Sequence, residues 1–200
     1  IPQMKGFPLL RRTCLLALLT VSSSVLALEQ VPALDLDQLQ PPRDQVVASQ
    51  NTVELLRRHH YNRTRLDDAL SAQMYDTYLK HLDPQRSLFT QQDIDAFSGN
   101  RLRLDDLLLQ GDLSVGFAMH KRQLQRLQDR LNFSIDLVEN QLDGFDFNTD
   151  QDILVDREEA PWASDEQALQ QLWRAQIKDE VLRLKLAGKS LDDIRELLGK

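Results

Sequence analysis

"LDDALSAQMYDTYLKHLDPQRSLFTQQDIDAF" runs from Leu66 to Phe97 and decides the fold class. Leu66, Leu70, Met74, Tyr78 and Leu82 recur every four residues, and Ala69, Tyr75 and Leu79 widen the stripe. That is the period of a core-facing helix. Asp83-Pro84 ends it, because the residue before a proline avoids the helical region. Thr90 then reads as the N-cap of a short helix, "TQQDIDAF", with Asp93 at the third helical position, where the positive helix start favours an acid. Phe89 and Ile94 flank that cap at hydrophobic-staple spacing.

The same stretch holds His81, Asp83 and Ser87, the three side-chain types of a hydrolase triad. A triad needs a base within hydrogen-bond reach of a nucleophile, with oxyanion donors nearby. Here the histidine precedes a helix end, the aspartate precedes a proline and the serine sits in a short connection. No Gly-x-Ser-x-Gly elbow surrounds it. The stretch therefore reads as a helix–turn–helix corner with Leu88 and Phe89 packed inward. On this reading Phe89→Ala unfolds the corner and Ser87→Ala changes little.

Further helices extend outward from this corner. Upstream lies "QVVASQNTVELLRRHHY", from Gln45. Downstream, "RLRLDDLLLQ" closes at Gly111. A long helix follows from about Ser114 to Leu142, with Phe117, Leu124, Leu127, Leu131, Ile135, Val138 and Leu142 on one face and Lys, Arg, Gln and Asp on the other. Ser164 with Gln167 predicts a capping box for a helix of over twenty residues. Leu169, Trp173, Ile177, Val181 and Leu184 form its buried side, and Gly188 its stop. Ser190 starts a last helix, "LDDIRELLGK". Between the two long helices, residues 143–163 form a loop-rich insertion, with a short strand expected at Ile153 to Val155. There is no alternating strand–helix pattern and no internal repeat. The expected fold is an all-α, multi-helix domain over residues 45–200.

The bulk numbers agree. The chain has 200 residues, 42% hydrophobic and 28% charged, with seven Gly and seven Pro. A domain of this size buries about 70% of its unfolded surface, so it needs no disulfide or metal staple. The net charge of −7 comes without a basic stripe. That balance argues against nucleic acid and against anionic membrane surfaces as the main partner.

Residues 1–27 read as a signal peptide starting at Met4. Lys5, Arg11 and Arg12 form the basic region, "LLALLTV" the apolar core, and Val25 and Ala27 the small residues before a cleavage site between Ala27 and Leu28. The apolar run is too short to span a bilayer. Cys14 stands at the start of that run, not at its end as a lipoprotein would need. Cleavage would remove the only cysteine and leave a balance of −10. A bacterial periplasm fits such a chain. Residues 28–44, with three prolines, read as an extended lead-in.

Other candidate sites are weak. Asp146, Asn148, Asp150 and Asp152 alternate like the start of a calcium loop, but Gln151 and Arg157 stand where Gly and Glu are needed. His59 and His60 are adjacent among Arg57, Arg58 and Arg63, an unsuitable place for a metal. His120 reads as a partly buried packing residue. Trp162 reads as a core plug at a loop-to-helix junction. No catalytic, metal or cofactor-binding residue is assigned to this chain, and no cofactor is expected.

Three blocks carry a resemblance: the opening stretch, "DREEAPWASDEQALQQLW", and "IKDEVLRLKLAGKSLDDIRELL". In that order and spacing they resemble the N-terminal helical region of the periplasmic tail-specific, or carboxy-terminal processing, proteases, from about Gln45 to Lys200. The resemblance implies a serine endopeptidase with a Ser-Lys dyad and a PDZ domain that reads apolar substrate C-termini, both downstream of a region like this one. It implies that this segment is inactive alone, and that Ser87 is not the nucleophile. The partners it implies are the downstream PDZ and protease domains, protein substrates with apolar C-termini, an adaptor lipoprotein and a second protomer. The competing class is a stand-alone periplasmic helical adaptor.

Overall fold

The computed structural model describes residues 34–59 and 66–199. The signal-peptide reading, with its Ala27–Leu28 cleavage site, lies outside the described residues. Among the described residues seven α-helices follow one another: α1 (Arg43–His59), α2 (Asp68–Leu82), α3 (Gln91–Ser98), α4 (Leu104–Gln110), α5 (Ser114–Asn140), α6 (Glu166–Leu186) and α7 (Leu191–Leu198). The described part of the lead-in carries a single 3-10 turn, Leu36–Gln38, and α1 begins two residues earlier than its apolar pattern suggests. No strand occurs among the described residues. Ile153 to Val155 is irregular, with Leu154 and Val155 exposed.

Local chemistry sets the ends. Asp67 caps α2 by accepting the Leu70 N–H at 3.0 Å. Thr90 and Asp93 form a reciprocal capping box at α3, and Ser190 and Asp193 form another at α7. Gly111 and Gly188 lie in the left-handed region at φ +75° and +84°, where a side chain would be strained. At the start of α6 the cap is Asp165 rather than Ser164. Its carboxylate accepts the Ala168 N–H at 2.8 Å, and the Ser164 hydroxyl donates to Asp165. A carboxylate is an equally good cap, so the cap moves one residue on, and with Ala168 at the third helical position no reciprocal box forms.

α2 packs on α4, α1 on α4, α5 on α6, and α7 closes against α5 and α6. Two apolar clusters result. One gathers Tyr75, Leu82, Phe89 and Met119, with Ile94, Phe97 and Trp162 against it. The other gathers Leu142, Val181 and Ile194, with Phe145, Ile177 and Leu198 against it. The long helix α5 spans both.

The buried line of α5 follows the expected stripe only at its far end, where Val138 is buried and so is Leu142 just beyond the helix. Leu127 and Leu131 are 41% and 43% exposed. The inward line is Met119, Arg126, Arg130 and Leu137, spaced by seven, four and seven, which is one helical face. Arginine stems cover apolar surface while their heads find partners. Here Asp93, Ser87 and Gln176 supply those partners, so the face rich in arginine turns inward.

Candidate functional site

The corner between α2 and α3 is where hydrolase-type side chains come together, so its geometry tests their use. Asp83 is 2% exposed. Its carboxylate accepts three successive backbone N–H groups, from Ser87 at 2.8 Å, Leu88 at 2.8 Å and Phe89 at 3.0 Å. These would otherwise be orphan donors between two helices, and a carboxylate binds such groups more strongly than a neutral acceptor. The turn places Arg86 at φ +46°, an uncommon conformation for a residue with a side chain. Its guanidinium offsets the strain by donating to the Ala160 carbonyl at 2.8 Å and lying 5.4 Å over the Trp162 ring.

Ser87 faces away from any base. Its Oγ accepts from Arg130 at 3.2 Å, and its carbonyl accepts the Trp173 indole N–H at 2.6 Å. His81 turns its Nδ1 to the Thr77 carbonyl of its own helix, at 2.7 Å. The three side chains therefore act separately. Asp83 gathers backbone donors, Ser87 joins α5 and α6 to the corner, and His81 sits exposed on α2. None forms a nucleophile–base pair with another.

One turn further on, Asp93 is 5% exposed and bonds to Arg126 at 2.9 Å, to the Thr90 N–H and hydroxyl at 3.0 Å each, and pairs with Arg122 at 3.2 Å. Burial alone raises its carboxyl, but Arg126 and Thr90 outweigh burial and hold it below the usual carboxylate range. Arg130 carries the opposite signature. Burial lowers its guanidinium, and the Asp83 charge partly restores it. Each of the two buried carboxylates thus lies near an arginine of α5, Asp93 near Arg126 and Asp83 near Arg130. The sequence offered spacing for Asp93 as a cap, but no local signal for its arginine partners, which lie 29 and 33 residues away.

The remaining candidates are placed as follows. His120 bonds through Nδ1 to Gln123 at 2.9 Å and is partly buried. Trp162 packs edge-on to Phe89 at 6.2 Å, a plug over the first cluster. Gln91 N–H reaches the Ala163 carbonyl at 2.7 Å and fastens that plug to α3. In the acidic loop, Phe145 and Phe147 stack edge to face at 6.0 Å, and Lys178 holds Thr149 and Gln151. Among the described residues no group of three His, Cys, Asp or Glu side chains is placed to hold a metal ion. The side chains of His59 and His60 lie outside the described residues.

Comparison with known proteins follows the same lines. The family model described as the tail specific protease N-terminal domain matches residues 52–200. The tail-specific protease of Haemophilus influenzae is 30% identical over 184 residues, covering 90% of this chain and 26% of that protein. The chain spans about a quarter of the length of this relative.

Proposed function

This chain belongs to the tail-specific protease family through its N-terminal domain, and on that premise we propose that it is the helical scaffold of an exported, serine-type, carboxy-terminal processing endopeptidase. One observation carries the reading. The hydrolase-type side chains at the corner are consumed by the fold, with the Asp83 carboxylate on three backbone N–H groups and the Ser87 hydroxyl on Arg130. What the domain offers instead is exposed apolar surface. Leu154, Val155, Leu186 and Leu197 are large apolar residues left more than half exposed, a supply of contact surface for other domains.

In this proposal the nucleophile is the serine of a Ser-Lys dyad elsewhere in the parent protein, and a PDZ domain there reads apolar substrate C-termini. The helical domain positions the protease core and docks an adaptor lipoprotein or a second protomer in the periplasm. The test is to mix residues 28–200 with the remaining part of the parent and follow cleavage of a peptide with an apolar C-terminus. Binding, with cleavage raised over the remaining part alone, is expected, and no turnover by residues 28–200 alone. Absence of binding overturns the scaffold reading. Turnover by residues 28–200 that disappears in Ser87→Ala overturns the assignment of the nucleophile.

A further inference from the structure

Where α2, α4 and the first turns of α5 converge, the fold leaves a cavity of about 320 Å³. Met74 and Tyr78 of α2, Leu108 of α4, Leu113, and Phe117 and Met119 of α5 line it. At about 30 Å³ per water-sized group, the space holds the bulk of two leucine side chains. Gly116 is part of the lining, and a Cβ added there would meet nothing within 4 Å, so a larger side chain can be accommodated at this edge. The Tyr78 hydroxyl is already engaged with the Gly116 carbonyl at 3.1 Å, so the ring presents carbon to the space. Two methionines in the lining can adjust to the shape of an occupant.

Among the described residues, Asp112 is the only Asp, Glu, Lys, Arg or His in the lining. The Ser114 hydroxyl and backbone N–H hold its carboxyl below the usual carboxylate range, with no cation contributing. It is therefore an exposed anion beside an apolar cavity. An occupant that complements both is apolar with a cation next to it. Two apolar side chains four residues apart on a helix are about 5–6 Å apart, which suits the size of the cavity.

We propose that this cavity is a docking site for an amphipathic helical segment of a partner protein, which inserts two apolar side chains and sets a lysine or arginine against Asp112. The inference rests on the docking role proposed above and gives it a place and a partner chemistry. The probes are three labelled, helix-forming peptides, one of leucine and lysine, one of leucine and glutamate, one of alanine and lysine. Their binding to the intact chain is read by fluorescence anisotropy. The leucine–lysine peptide should bind saturably, and the other two at least tenfold more weakly.

Gly116→Leu adds a side chain at the cavity lining and replaces a weak helix former with a strong one, so the fold should melt no lower than the wild type. It should weaken the leucine–lysine peptide at least tenfold, and Gly116→Ala by an intermediate factor. Asp112→Asn keeps an acceptor for Ser114 and should narrow the preference for lysine over glutamate severalfold. Equal binding by wild type and both Gly116 variants overturns the proposal. So does equal binding of the alanine–lysine peptide, which would mean charge attraction alone. Failure of the chain to bind the rest of its parent would sink the scaffold reading without touching these peptide measurements.

Discussion

Two regions along α5 are held by different physics. Around its middle, the α2–α3 corner is clamped by buried charge. Asp83 collects three N–H groups, Asp93 meets Arg126, and Arg130 links Ser87 to Gln176. At its second half, Leu142, Val181 and Ile194 pack with partly buried apolar neighbours, and the polar bonds are exposed caps and surface pairs such as Ser190 with Asp193 and Arg195 with Asp143. Buried charge is directional and fails when one partner is removed, whereas apolar contact degrades in proportion to the area lost. The corner should therefore be the more specific half, and the α6–α7 end the more tolerant.

The largest expected effect is at Phe89, fully buried and in edge contact with both Phe97 and Trp162. Phe89→Ala should lower stability by about 3–5 kcal/mol in denaturant unfolding. Ile194→Ala, also fully buried, should come next at about 2–4 kcal/mol. Hydrogen exchange on the two variants breaks or sustains the comparison. Ile194→Ala should loosen amides over 181–198 and spare 83–97, and Phe89→Ala should do the reverse. Identical patterns would mean that the two halves open as one unit.

Asp93→Asn should cost about 2 kcal/mol at neutral pH, since it leaves Arg126 short of its carboxylate in a mostly buried site. The pH dependence sharpens this. The folded carboxyl is depressed, so its contribution is present above the unfolded value near about 3.9 and is lost as pH falls through the folded value. The stability gap between wild type and Asp93→Asn should be flat from pH 7 to about 5 and then close below pH 4. A gap that stays constant down to pH 2 would remove Asp93 from the clamp.

Smaller again is Ser87→Ala, at about 1–2 kcal/mol, because it takes an acceptor from the Arg130 guanidinium. The reading from sequence expected little change there. Ser190→Ala, at the exposed cap of α7, should cost about 1 kcal/mol and act only on the far end of the molecule.

The sequence by itself determined the helices, their caps and the family. Pro84, Thr90, Gly111, Gly188 and Ser190 act within a turn or two of chain, so their effect is legible from neighbours alone. The caps at Thr90 and Ser190 stand where the sequence places the helix starts, and at α6 Ser164 was expected in place of Asp165 because either residue is a good cap. The same local logic read His81, Asp83 and Ser87 as parts of a helix–turn–helix corner, but could not see that Asp83 organises the turn. That requires the left-handed Arg86, which is stabilised by Ala160 and Trp162 more than seventy residues away.

Only the tertiary structure decided which side of α5 faces inward. Periodicity defines an apolar stripe, and on that basis Leu127 and Leu131 were expected in the core. Arg126 and Arg130 take that place because α3, the corner and α6 present Asp93, Ser87 and Gln176 to them. A buried arginine is stable only where partners from distant segments meet it, and no window of local sequence contains those partners.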